Sequence, residues 1–145
     1  MKRRVGLAMF VFGVAAGAAY IQAGGEKAME VPKVAASWTG EWGPYNPAKD
    51  IGLTKEKCKG LDCKVVYENG IWEATFEGEC GRPYKYTIKM EGRQSGNAVL
   101  FKGSADLGEK DGGIYDWVGR AMGDEFIGFY TSSHITGVFH LAPKK

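Results

Sequence analysis

The feature that most constrains the fold of this 145-residue chain is an aromatic residue placed two positions before a glycine. The pair occurs in five segments and once in reverse, at Trp38/Gly40, Phe76/Gly78, Phe101/Gly103, Trp117/Gly119, Phe126/Gly128 and Gly137/Phe139. Because side chains alternate between the two faces of a strand, a spacing of two places both residues on one face. Strands keep an interior glycine where the sheet bends sharply or a large side chain needs room. Closure of a small barrel requires both.

Alternation of apolar and polar residues over short segments predicts antiparallel strands with one buried face. The clearest segment is Pro83–Glu91, and glycine-rich turns separate it from its neighbours. The predicted strands are residues 37–42, 63–67, 72–80, 83–91, 99–107, 114–122, 125–131 and 138–141. Residues 92–97 are expected to form a turn, and residues 43–60 a long loop or a loop with a short helix. We therefore expect an all-β fold, a single antiparallel up-and-down β-barrel of about eight strands, with a two-sheet sandwich as the alternative.

The start of the chain has the layout of a secretory signal peptide. Basic residues at positions 2–4 precede an uncharged, apolar stretch, and Ala18 and Ala23 offer sites for cleavage. The alternative, an uncleaved membrane anchor, needs about 20 apolar residues, and this stretch is shorter. The expected organisation is a signal peptide over residues 1–23, a flexible lead-in over residues 24–36 and the barrel domain over residues 37–145.

Removal of residues 1–23 would change the charge balance of the chain. It takes away three basic residues and leaves 16 Lys and Arg against 17 Asp and Glu. No block of like charges remains, so the sequence does not favour a nucleic-acid or anionic-lipid surface.

Gly40-Glu41-Trp42 in the first predicted strand resembles the Gly-x-Trp motif of the lipocalins and their calycin relatives. Together with Trp38 and Thr39, it is also similar to the first strand of avidin-type barrels. The stretch from about residue 72 to residue 141 resembles small exported bacterial β-barrel proteins of unknown function. The resemblance implies a calycin-like barrel in the periplasm or the medium, and it implies no activity.

Three cysteines, Cys58, Cys63 and Cys80, predict one disulfide and one spare thiol in an oxidising compartment. In the register set by a two-residue hairpin loop at positions 69 and 70, Cys63 faces Phe76. Cys80 then lies beside Lys59, next to Cys58, which favours a Cys58–Cys80 disulfide. Cys58–Cys63 is the second option, and the register disfavours Cys63–Cys80. A zinc site lacks a Cys-x-x-Cys pair, so we predict no metal ligand.

No catalytic or cofactor-binding residue is predicted. His134 falls in a predicted turn and His140 on the last strand, and both are interpreted as surface histidines. No serine lies in a nucleophile-elbow pattern. The loop Gly108–Gly113 carries acidic oxygens, but its spacing matches no standard calcium loop.

Aromatic residues are the remaining candidates for a binding site, because an eight-stranded barrel is either filled by its side chains or holds one small ligand. The candidates are Trp38, Trp42, Trp72, Phe76, Tyr84, Tyr86, Phe101, Tyr115, Trp117 and Phe126. The expected function is that of an exported, non-enzymatic binding protein with a small apolar or aromatic ligand. The alternative is a protein-interaction or inhibitor barrel with a packed core and an exported protein partner. Neither nucleic acid nor, after signal cleavage, a membrane is expected as a partner.

Mass mapping of peptides from the non-reduced protein is expected to show Cys58 linked to Cys80. The linkage closes a loop of about 20 residues, for which a stabilisation of about 3 kcal/mol is typical. A reduced sample, in which the two peptides separate, is the control. Recovery of a Cys63–Cys80 peptide would contradict the hairpin register.

Overall fold

The computed structural model describes residues 30–45, 58, 60–80 and 85–145. Over these residues it contains eight strands and one three-residue 3₁₀ helix, Glu109–Asp111, between the fifth and sixth strands. The strands are β1 (Ser37–Pro44), β2 (Leu61–Glu68), β3 (Ile71–Gly78), β4 (Tyr86–Ser95), β5 (Ala98–Asp106), β6 (Ile114–Met122), β7 (Glu125–Thr131) and β8 (Thr136–Pro143).

Each strand pairs antiparallel with the next in sequence, and β8 pairs with β1, which closes the barrel. The predicted all-β, up-and-down barrel is therefore confirmed, and the architecture is consistent with the calycin resemblance. Within the part of the chain that the structure describes, no helix is long and apolar enough to cross a membrane.

The β2–β3 hairpin has the predicted register. Asn69 and Gly70 both have positive φ angles, 52° and 82°, as a two-residue hairpin loop requires. Cys63 lies opposite Phe76, and both side chains are buried. The hairpin loop therefore determines which residues of β2 and β3 face the interior.

The predicted turn over residues 92–97 is too long, because β4 continues to Ser95 and the turn consists of Gly96 and Asn97. Gly92 lies inside the strand, between Trp72 on one side and Phe101 on the other. A Cβ at this position would lie 2.5 Å from Phe101 and 2.8 Å from Trp72. Gly92 thus makes room for two aromatic side chains, at the ring of Phe101 and the Cβ of Trp72, instead of ending the strand.

Other strand ends differ from the predicted bounds by a few residues. The third strand ends at Gly78, before Cys80, and the last strand extends two residues further at each end than predicted. The start of β2 is also earlier, at Leu61. The predicted loop or short helix in residues 43–60 falls largely outside the described residues, as does the signal peptide.

The glycines of the aromatic–glycine pairs serve the two purposes that barrel closure requires. At Gly40 and Gly128, the neighbouring strand passes so close that a Cβ would collide with its backbone carbonyl oxygen, that of His140 or Val118. At Gly78, a Cβ would lie 2.8 Å from the Trp42 ring. Some of these glycines therefore allow a sharp bend, and others leave space for a ring.

Aromatic side chains fill the middle of the barrel. Phe76 lies 5.3 Å, centroid to centroid, from both Phe126 and Phe139. Trp38 packs edge-on against Phe126 at 5.6 Å. Each of these four side chains is at most 1% exposed. Such rings bury a large area each and contribute heavily to core stability.

The two ends of the barrel differ. At one end, here called the hairpin end, the tight turns at residues 69–70, 96–97 and 123–124 connect the strands. Residues 30–36 lie against this end, where the Trp38 Nε1 donates a hydrogen bond to the Ala35 carbonyl at 2.7 Å. The Gln94 side chain donates to the Glu30 carbonyl at 2.8 Å. The opposite end, here called the loop end, carries the longer connections after β1, β3, β5 and β7.

Substitution Gly128→Ala is expected to destabilise the protein by about 1–3 kcal/mol, the usual cost of overpacking. The new methyl group would collide with the Val118 carbonyl and the Phe139 ring. Denaturant unfolding measures the change. Gly60→Ala is the matched control, because its methyl group would meet only the Gly40 carbonyl, at 3.8 Å. Equal stability of the two variants would contradict the close approach of β6 and β7.

Candidate functional site

The loop end of the barrel contains a cleft of about 140 Å³. Four strands contribute aromatic side chains to it, and the connecting loops form its rim. The lining residues are Trp42, Pro44, Cys80, Tyr86, Leu107, Asp111, Tyr115, Trp117, Tyr130 and Ile135.

The aromatic residues of the cleft meet there because they occupy inward positions at strand ends. Trp42 is near the end of β1, Tyr86 is the first residue of β4, and Tyr130 is the penultimate residue of β7. Tyr115 and Trp117 are successive inward positions at the start of β6. In an up-and-down barrel these four strand ends lie at the same end, so barrel closure brings the rings together.

The rings of the cleft form walls at different angles. The Trp42 ring lies 6.4 Å from Tyr86 at an interplanar angle of 75°, and 5.8 Å from Tyr130 at 59°. Trp117 stacks on Tyr130 at 4.5 Å and 23°. Tyr115 is inclined to Tyr130 by 56°. The arrangement presents aromatic surface from several directions to whatever occupies the cleft.

Among the described lining residues, the polar side chains are those of three tyrosines, Asp111 and the indoles of Trp42 and Trp117. The Tyr115 hydroxyl donates a hydrogen bond to the Asp111 backbone carbonyl at 3.0 Å, which ties the 3₁₀ helix to β6. Burial raises the pKa of Tyr130, and the neighbouring Tyr115 adds to the effect. The Tyr130 phenol is therefore neutral at physiological pH.

The Trp117 indole nitrogen is buried and has no hydrogen-bond partner among the residues that the structure describes. Leaving a buried donor without an acceptor costs about 1–3 kcal/mol. Such groups are rare in folded proteins and call for an explanation where they occur. Here the unpartnered donor belongs to a residue that lines the cleft.

The predicted Cys58–Cys80 disulfide is confirmed. Cys80 lies at the rim of the cleft, and the Cys58 backbone N–H donates to the Trp42 carbonyl at 3.2 Å. The disulfide therefore joins two loops of the rim close to Trp42. A disulfide of this kind indicates an oxidising compartment. Cys63 is the free cysteine and is buried, as predicted.

The structure separates the ten aromatic residues predicted to bind a ligand into groups. Trp42, Tyr86, Tyr115 and Trp117 line the cleft. Trp38, Phe76 and Phe126 belong to the packed middle, and Trp72 and Phe101 lie nearer the hairpin end, around Gly92. Tyr84 lies outside the described residues.

Sequence reasoning missed several residues of the cleft, chiefly Tyr130, Asp111 and Ile135. Tyr130 could have been found, because it continues the inward alternation of Phe126 and Gly128 along β7. Asp111 and Ile135 lie in connections, where no periodicity indicates which side chains turn towards the barrel.

The other residues considered for chemistry have structural surroundings. His140 contacts Glu125 at 3.3 Å on the outer wall, and His134 lies exposed in the loop before β8. In the loop Gly108–Gly113, the Gly113 N–H donates to the Gly108 carbonyl at 2.9 Å, which closes a tight turn. Among the described residues, no group of three or more His, Cys, Asp or Glu side chains is placed to hold a metal ion.

The chain matches no protein-family model, no curated protein and no solved structure. Its function is therefore inferred from the geometry of the cleft.

Cys63 in the native protein is expected to resist alkylation by iodoacetamide at pH 8. Its side chain is 2% exposed, and burial raises the pKa of its thiol, so little thiolate forms and little of it is accessible. Mass spectrometry of samples quenched over time measures the rate. The variant Ser133→Cys, which places a thiol in the exposed loop before β8, is the control and should react quickly. Alkylation of Cys63 at the rate of that control would contradict its place in the core.

Proposed function

We propose that the protein is an exported, non-enzymatic binding protein that holds a small apolar or aromatic ligand in the cleft at the loop end of the barrel. The observation that supports this function most directly is the convergence of five rings from β1, β4, β6 and β7 around one concave space. Ligand sites are typically concave and aromatic, with a few polar groups that fix orientation.

The size of the cleft limits the ligand to one ring or a short aliphatic group. Sites for drug-sized ligands have volumes of roughly 300–1,000 Å³. The volume of about 140 Å³ is closer to that of an engineered protein cavity of about 150 Å³ that binds benzene. Since rings fill the middle of the barrel, a ligand would be held at the mouth of the barrel rather than deep inside.

The residues around the cleft favour binding over catalysis. Among the described lining residues there is no His, Lys, Ser or Thr, and Cys80 is held in the disulfide. Among the described lining residues, no Ser, Thr, Lys or free Cys nucleophile therefore stands beside a His base.

The proposed location is the periplasm or the external medium. The layout of residues 1–23 as a signal peptide and the Cys58–Cys80 disulfide support export. We further propose that the chain is a calycin-like protein, for which the Gly40-Glu41-Trp42 motif on β1 and the closed eight-stranded order are the support.

The alternative function, a protein-interaction barrel, is favoured by an apolar strip on the outer wall. Val118 and Phe129 pair across β6 and β7, and each is about half exposed, at 53% and 51%. The Tyr45 ring lies 6.2 Å from Phe129 and continues the strip. Exposed apolar groups that cluster in this way are typical of interaction sites.

Toluene is expected to bind wild-type protein and to lose at least tenfold in affinity in the variant Ile135→Trp, whose larger side chain would fill the mouth of the cleft. Nuclear magnetic resonance titration, following the indole N–H signals of the four native tryptophans and of the one that each variant adds, measures the affinity and locates the site. Ile71→Trp is the matched control, because Ile71 is an exposed isoleucine near the hairpin end.

Two results would contradict the ligand-binding function. One is the absence of any toluene-dependent shift in the wild-type protein, and the other is an equal loss of affinity in both variants. The first result would leave the apolar strip on the outer wall as the functional surface.

A further inference from the structure

We infer that the Tyr130 hydroxyl determines the specificity of the cleft, by donating a hydrogen bond to a ligand whose bound end carries a carbonyl oxygen, such as a small ketone. The inference rests on the proposed function, since it names the chemical class of ligand for the same cleft. Two independent observations support it. The packing around the Tyr130 ring holds the hydroxyl in place, and the hydroxyl has no partner within the described part of the chain.

The Tyr130 ring is held in one position by the residues around it. Tyr130 lies opposite Gly137 on β8, where a Cβ would collide with the ring, so the ring lies directly over bare backbone. Trp117 stacks on the ring at 4.5 Å, and the Trp42 ring lies 5.8 Å away. Because the phenol is rigid, a fixed ring also fixes the position of its oxygen, and a ligand need not order this group when it binds.

The Tyr130 hydroxyl is unpaired and accessible. The residue is 6% exposed, yet its hydroxyl makes no hydrogen bond to any residue that the structure describes. Over the same residues, Trp117 Nε1 is the only side-chain nitrogen or oxygen that is both completely covered and unpaired. The Tyr130 oxygen is therefore not completely covered, and it is open to the cleft that the residue lines.

The unpaired groups of the Trp117–Tyr130 stack call for an acceptor. An indole N–H can only donate, and since packing covers Trp117 Nε1, the Tyr130 hydroxyl is the donor within reach of a ligand. Burial and the neighbouring Tyr115 raise the pKa of Tyr130, so its phenol keeps the proton that it donates. A carbonyl oxygen, which can only accept, is the matching group on a small ligand.

The bond at Tyr130 separates ketones from hydrocarbons of the same shape. Water that enters the open cleft can pair with the hydroxyl, and a hydrocarbon that fills the cleft displaces this water without replacing its hydrogen bond. A buried donor left unpaired weakens binding, whereas a ketone restores the bond. Sites with a buried hydrogen-bonding group discriminate against analogues that cannot pair with it.

The test compares acetophenone with α-methylstyrene, in which a methylene group replaces the carbonyl oxygen. Nuclear magnetic resonance titration measures both affinities in wild-type protein and in Tyr130→Phe. The variant is expected to bind acetophenone about three- to tenfold more weakly, the usual effect of one net hydrogen bond, and to bind α-methylstyrene no more weakly than wild type does. Each ligand is compared with itself, so the difference in hydration between the two ligands cancels.

Tyr67→Phe is the matched control, because Tyr67 is an exposed tyrosine of β2 near the hairpin end. It should change neither affinity. The carbonyl carbon signal of bound, ¹³C-labelled acetophenone gives a direct readout of the bond, and it should lie further downfield in wild-type protein than in Tyr130→Phe. Identical carbonyl signals in the two proteins would overturn the inference.

Thermal unfolding without ligand tests whether the hydroxyl is unpaired in the protein itself. Removal of an unpaired hydroxyl is expected to leave the unfolding midpoint of Tyr130→Phe equal to that of wild type or higher. A lower midpoint would show that the hydroxyl is bonded within the protein, and it would overturn the inference.

The binding outcomes separate the inference from the proposed function. An equal loss of affinity for both ligands in Tyr130→Phe, or no loss for either, would overturn carbonyl recognition and leave the cleft as an apolar site. Failure of toluene, acetophenone and α-methylstyrene alike to bind wild-type protein would overturn the proposed function itself.

Discussion

The close approach of neighbouring strands at inward glycines is the constraint on which the rest of this structure depends. A sheet of eight strands closes into a narrow barrel only by bending sharply, and at Gly40 and Gly128 the adjacent backbone occupies the place of a side chain. The aromatic residues two positions away then turn into a confined interior, where they pack edge to face. The same inward glycines therefore permit both the curvature of the sheet and the packing of the rings inside it.

The packing of rings in the middle of the barrel also determines where the cleft lies. Rings that stabilise the middle of the barrel leave the loop end as the place where inward side chains have fewer neighbours. Trp42, Tyr86 and Tyr130 are inward-facing aromatic residues close to the loops, and they border the cleft instead of another layer of core. The cleft is therefore lined by the same residue types that fill the core, and it differs from the core in its position at the loop end of the barrel.

Local rules in the sequence predicted a large part of the fold and a smaller part of the cleft. Period-two alternation identified the strands, and the Asn69-Gly70 loop set a register from which the Cys58–Cys80 disulfide followed. The same rules misassigned Gly92, because a glycine that makes room for rings and a glycine in a turn look alike in sequence. Asp111 could not be predicted, since a turn and the Tyr115 hydroxyl determine its position, and neither has a periodic signal.

The Cys58–Cys80 disulfide also determines when the two loops at the rim of the cleft become covalently linked. If the protein is exported as proposed, Cys58 and Cys80 are separate thiols in the reducing cytosol and are joined only in an oxidising compartment. Before the disulfide forms, the Cys58 N–H can still donate to the Trp42 carbonyl, but no covalent bond links Cys58 to Cys80. In the proposed exported protein, the rim of the cleft therefore gains its covalent link only after the chain has left the cytosol.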